Sequence, residues 1–102
     1  SHHESIYTEI RRRDAAIRSA EEERRLAQQA REMALQEKIN EEDRMPSHQV
    51  ADRMKHEMSL DLSVARRFLS ENKQRVEALR KREPALAIQV ENFAKYLEIT
   101  SR

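Results

Sequence analysis

Glycine does not occur anywhere in the 102 residues. A chain without it lacks the residue that most readily takes positive φ, so tight turns and close backbone approaches to a ligand are hard to build. Phosphate-cradling loops and the nucleophile elbow both depend on such backbone. Most enzyme classes are therefore disfavoured before any side chain is considered. The many carboxylates do not change this, because acid/base catalysis needs two of them held dry with separated pKa values. No enzyme and no cofactor are expected.

Charged residues make up 38% of the chain and hydrophobic ones 37%, with mean hydropathy −1.00. A globular domain is usually about 45–50% apolar. That balance suits either disorder or long helices that bury a single stripe, and the residue types decide between them. Ala, Glu, Arg, Leu, Gln and Lys dominate, and all favour helix. The fold class expected is all-α.

Only Pro46 and Pro84 interrupt the pattern. They divide the chain into a helix over 5–44, a turn over 45–47, a helix over 48–83 and a helix over 84–101. Ser47 is placed to cap the second helix. So short a connection predicts an antiparallel long-helix hairpin, coiled-coil-like, with a short C-terminal helix, all within one domain of residues 1–102. Acid stands four residues before base at Glu9/Arg13, Asp14/Arg18, Glu21/Arg25, Glu71/Arg75, Glu77/Lys81, Glu91/Lys95 and Glu98/Arg102. That orientation supports helix by ~0.2–0.5 kcal/mol per pair.

The second helix carries a heptad seam. Leu62, Leu69 and Val76 recur at seven-residue spacing, with Ala65, Asn72 and Leu79 three residues behind each. Met58 precedes them, and Leu86, Val90, Phe93 and Leu97 continue the phase beyond Pro84. At Pro84 the pattern allows a kink within one seam or a bend into a separate helix. Asn72 is the one polar residue at its heptad position; it either fixes register, as buried amides do in coiled coils, or turns outward. One hairpin would leave much of this seam in water, so the expectation is a homodimer assembled as a helical bundle.

The first helix is patterned differently. Ile6, Ile10, Ile17, Leu35 and Ile39 fall in a narrow arc, flanked by Ala16, Ala20, Ala27 and Ala34. Roughly opposite lies a second stripe of Leu26, Ala30 and Met33. Preceded by Glu21-Glu22-Glu23 and followed by Ala34, Leu35 and Glu37, this stripe resembles the ubiquitin-interacting motif. The resemblance implies a short helix lying flat on an apolar patch of ubiquitin through Ala30, with the acidic run pairing with basic residues beside the patch. Ala34 stands where the family has Ser, and Arg24-Arg25 interrupts the acidic approach. The partner-binding candidates are thus Leu26, Ala30, Met33, Ala34 and Glu37.

Other chemistries find less support. There is no cysteine, so disulfides and thiolate metal sites are excluded. His48, Asp52 and His56 share a helical face, but the outer pair is separated by ~12 Å along the axis, too far for one ion. His56-Glu57 opens like a helical zinc-protease motif, but Leu60 occupies the place of the second histidine. No metal site is expected. Arg11-Arg12-Arg13, Arg66-Arg67 and Arg80-Lys81-Arg82 raise nucleic-acid binding as a third reading, after self-assembly and partner recognition. Twenty basic residues meet 19 acidic ones, however, leaving a net charge of +1. The longest apolar run is Ala85–Ile88, so neither a membrane span nor a secretory leader is expected. A cytoplasmic or nuclear setting follows as an expectation. The opening Ser1-His2-His3 has the form of a tag remnant and carries no functional expectation. The function expected is that of a non-enzymatic interaction or assembly module, a scaffold or adaptor.

Overall fold

The computed structural model describes residues 2–100. Five helices occupy them: α1 (His2–Asp43), α2 (Ser47–Met58), α3 (Leu62–Glu71), α4 (Lys73–Arg82) and α5 (Pro84–Thr100), with no strand among the described residues. The chain divides into two units, Ser1–Ala34 and Leu35–Arg102, and the boundary falls within α1.

The first unit is helix throughout its described residues, and side chains along its surface support it. Glu9 receives Arg12 at 2.6 Å and Arg13 at 3.1 Å, and Glu22 receives Arg25 at 2.6 Å. Arg25 thus pairs three residues back rather than with Glu21. Both carboxyls are held below the usual carboxylate range, Glu9 chiefly by Arg12 and Glu22 by Arg25. These groups are exposed, so water and salt screen the pairs. None of the described residues up to Ala34 is buried.

The second unit is where the chain turns. The long helix expected over 48–83 is instead three helices, and each break has a local cause. At the first, Ser59 Oγ donates to His56 O at 2.7 Å, and Asp61 accepts the Val64 amide at 2.9 Å. Asp61 is therefore an N-cap, a role for which a short acidic side chain competes well against continuing the helix. At the second, Asn72 takes φ −117° and ψ 27°, outside helical geometry. Its Nδ2 donates to Phe68 O at 2.9 Å, and its own carbonyl accepts the Val76 amide at 3.1 Å. Asn72 thus neither sits in a coiled-coil seam nor turns outward; it joins α3 to α4.

The proline breaks are also resolved. Ser47 does not cap α2, because Pro46 occupies the N-cap position and its carbonyl accepts from Gln49 and Val50. Pro84 begins α5, where a missing amide hydrogen costs nothing. The 83/84 junction is therefore a helix boundary rather than a kink in one helix. The end expected at residue 101 and the Glu98/Arg102 pair lie outside the described residues.

Folded at these breaks, α2 to α5 share one core. α5 packs on α2, α3 and α4, and α2 also packs on α3 and α4. Val50, Ala51, Met54 and Met58 of α2 meet Ala65 and Phe68 of α3, Val76 and Leu79 of α4, and Ala87, Val90 and Ala94 of α5. Each large apolar side chain fully buried here contributes roughly 1.5–3 kcal/mol. Most of the expected seam is involved, with Leu69, Leu86, Phe93 and Leu97 packed against the core. Met58, Ala65, Val76, Leu79 and Val90 are buried, while Leu62, Leu69, Asn72, Leu86, Phe93 and Leu97 are half-buried. The seam is closed by helices of its own chain, so open seam area no longer argues for a dimer.

Candidate functional site

Two places combine chemistry with position: a buried ionic cluster in the second unit and the exposed surface of α1 in the first. The cluster begins with a mismatch in the last turn of α1. Glu41, Glu42 and Asp43 stand at the negative end of the helix dipole, where cations are favoured. Cations from other helices correct it. Arg82 of α4 donates to the carbonyls of Glu42 and Met45, at 3.0 and 2.8 Å, satisfying backbone acceptors the helix end leaves open. Arg53 of α2 pairs with Glu41 at 2.9 Å.

At the centre is Arg75, only 3% exposed. Its Nε and Nη2 grip both oxygens of Glu42 at 2.9 and 2.6 Å, and Nη2 also reaches Glu57 at 2.7 Å. Nη1 donates to Asn72 Oδ1 at 2.9 Å, and the guanidinium lies 5.1 Å from the Phe68 ring centroid. Burial pulls the pKa of Arg75 down, but the hydrogen bonds to Glu42 and Glu57 outweigh it, leaving it above the ordinary arginine value. All three nitrogens are engaged, so the cluster offers a ligand no free donor from Arg75. Its role is to hold the end of α1 to the core. The buried Nη1 of Arg53 makes no hydrogen bond; it lies 3.7 Å from Glu42. The four-residue spacing alone pairs Arg75 with Glu71 on the helix surface, whereas the fold turns it inward to Glu42 and Glu57. The signal that could have found the cluster is the acidic run at the wrong end of α1.

The first unit presents the opposite situation. Six large apolar side chains on its helix are exposed: Ile6 (44%), Tyr7, Ile10, Ile17, Leu26 and Met33 (58%). At about 100° per residue they form two faces. Ile6, Ile10 and Ile17 make one, and Leu26 and Met33, with Ala30 between them, make the other. Ala30 and Ala34 are exposed as well, so four of the expected partner-binding residues lie on open helix surface. Glu37, the fifth, is exposed but belongs to the second unit. A solvated helix can tolerate single apolar residues, but faces repeated at helical spacing are the usual form of a helix-docking surface.

Among the described residues no group of three or more His, Cys, Asp or Glu is arranged to hold a metal ion, and no helix is long and apolar enough to cross a membrane. No family model matches the chain, nor does any curated protein or solved structure.

Proposed function

We propose that this protein is a non-enzymatic helical interaction module, of scaffold or adaptor type, whose working surface is the exposed part of α1 before Leu35. The observation that carries this reading is the contrast between a closed core from Val50 to Ala94 and a helix whose large apolar side chains stay in water. Partner helices laid on those faces would complete a helical bundle, and the removal of apolar area from water would drive their docking. The partner is a different protein or a second copy of the chain, and the charges bordering each face decide between them.

The test is site-specific photocrosslinking in extract from cells that make the protein. A photoreactive residue at Ile17 or Leu26 should give discrete heavier adducts, which an apolar-to-acid change on the same face abolishes. Adducts from neither position, with the label active, would contradict the reading.

Exposure of Leu26, Ala30 and Met33 favours ubiquitin as a second, more specific occupant of the far face. Ala30→Arg should then abolish chemical-shift changes in labelled ubiquitin titrated with the protein. An unmodified chain that produces no shifts ends this alternative.

A further inference from the structure

We infer that the Ile6/Ile10/Ile17 face takes a basic amphipathic helix of another protein and rejects a second copy of its own chain. The inference rests on α1 being an interaction surface and adds the chemistry of what it accepts.

The apolar part of this face is short. Ile10 and Ile17 are seven residues apart, with Ile6 and Ala20 at the seam positions on either side of them, and the stretch from 6 to 20 spans ~21 Å. Arg13 falls within it but is drawn aside, its Nε bonded to Glu9 at 3.1 Å. The charges bordering the seam are acidic. With Ile10 and Ile17 at heptad position a, Asp14 and Glu21 occupy e on one flank, and Glu9 and Glu23 occupy g on the other. Glu9 is already bonded to Arg12 and Arg13. Among the described residues no salt bridge engages Asp14 or Glu21, which leaves their charge open to a neighbour.

Flanking charges decide which helix can lie there. In an antiparallel pair of identical helices centred on Ile17, e meets e and g meets g. Asp14 would then face the copy's Glu21, and Glu9 would face the copy's Glu23, each contact occurring twice. In a parallel pair g meets e, which sets Glu9 against the copy's Asp14. Either orientation places acid against acid, a pairing that destabilises about as much as an opposite pair stabilises. About two heptads of apolar seam give little area to overcome it. A partner helix with Lys or Arg beside its own apolar seam turns the same positions into attractions. Acid on the face and base on the occupant is the complementary arrangement.

Two synthetic helical peptides serve as probes, identical in their Ile/Leu seam and differing only in Lys or Glu at e and g. Anisotropy titrations against the full chain at low salt should show the Lys peptide binding more tightly by roughly tenfold or more. Doubling the charge change with Asp14→Lys and Glu21→Lys should reverse the order, and Ile10→Asp should abolish both. Asp14, Glu21 and Ile10 are exposed, so these variants keep the fold. Sedimentation should give a monomer for the unmodified chain and no weaker self-association for the charge-reversed one. Equal binding of both peptides, with loss in Ile10→Asp, would overturn the charge selection while leaving the interaction surface standing. A dimer that Ile10→Asp dissociates would overturn it in favour of a second copy. Binding of neither peptide, with a monomeric chain, overturns this inference; adduct formation from Ile17 or Leu26 then decides separately whether α1 is an interaction surface.

Discussion

The helix before Leu35 and the helices after Pro46 are built from the same residue types, yet one buries nothing and the other closes a core. What separates them is interruption. Ser59–Asp61, Asn72 and the Glu83–Pro84 junction let the later segment fold back, so the apolar faces of α2, α3, α4 and α5 meet one another. The unbroken run up to Ala34 has two apolar faces and no means of bringing either against the other. A straight helix cannot cover its own stripe. Something else must do so, or the stripe stays wet.

The largest difference between the two units is expected where an ion is buried. Arg75→Ala leaves Glu42 enclosed without its bidentate partner, and denaturant unfolding should show a loss of about 3–5 kcal/mol. A loss below about 1 kcal/mol would mean that the cluster is solvated. Core truncation comes next. Met54→Ala removes a fully buried side chain and should cost about 2–5 kcal/mol, whereas Ile17→Ala in the first unit should stay within about 0.5 kcal/mol. Equal costs at the two positions would erase the distinction between the units.

A smaller effect sharpens the role of the breaks. Asp61→Ala deletes the side-chain acceptor for the Val64 amide and should cost about 1 kcal/mol, with Asp61→Asn largely restoring it. Were α3 indifferent to this change, the first break would need another cause. The smallest effect is one of pH. Arg53, through its hydrogen bond, holds the Glu41 carboxyl below its ordinary value of 4.5. Its contribution is complete above the unfolded-state value and fades as pH falls through the depressed folded one. Glu41→Gln should therefore flatten the acid limb of a stability profile slightly, and added salt should shrink the difference because the pair is exposed.

Much of this was legible in the chain and some was not, for physical reasons. Helicity, both proline breaks and the apolar spacing of Leu69, Leu86, Phe93 and Leu97, which pack on the core, follow from propensity and period, which are local. The breaks at Ser59–Asp61 and Asn72 were missed because the heptad spacing runs straight across them. Leu62, Leu69 and Val76 keep their phase whether the helix is continuous or folded at Asn72, and only Asp61, a strong N-cap residue three before Val64, hinted otherwise. The Arg75 cluster was hidden for a different reason. Glu42, Glu57 and Arg75 are 33 and 18 positions apart in their pairings, and no local rule links them. The spacing of Leu26, Ala30 and Met33 is readable in the chain because a stripe is a property of one helix alone, and the structure adds that these side chains are exposed.

Amide hydrogen exchange, measured residue by residue along the whole chain, distinguishes a covered α1 from an open one. A closed core in the second unit and an unpartnered helix in the first predict that amides of Met54, Leu79 and Val90 exchange only with global unfolding, so Met54→Ala accelerates all three together. Amides from Ile10 to Ala30 should exchange far faster, by local fraying, and remain unaffected by that substitution. Slow exchange in both regions, with Met54→Ala accelerating both equally, would show that α1 is already covered and would contradict the account.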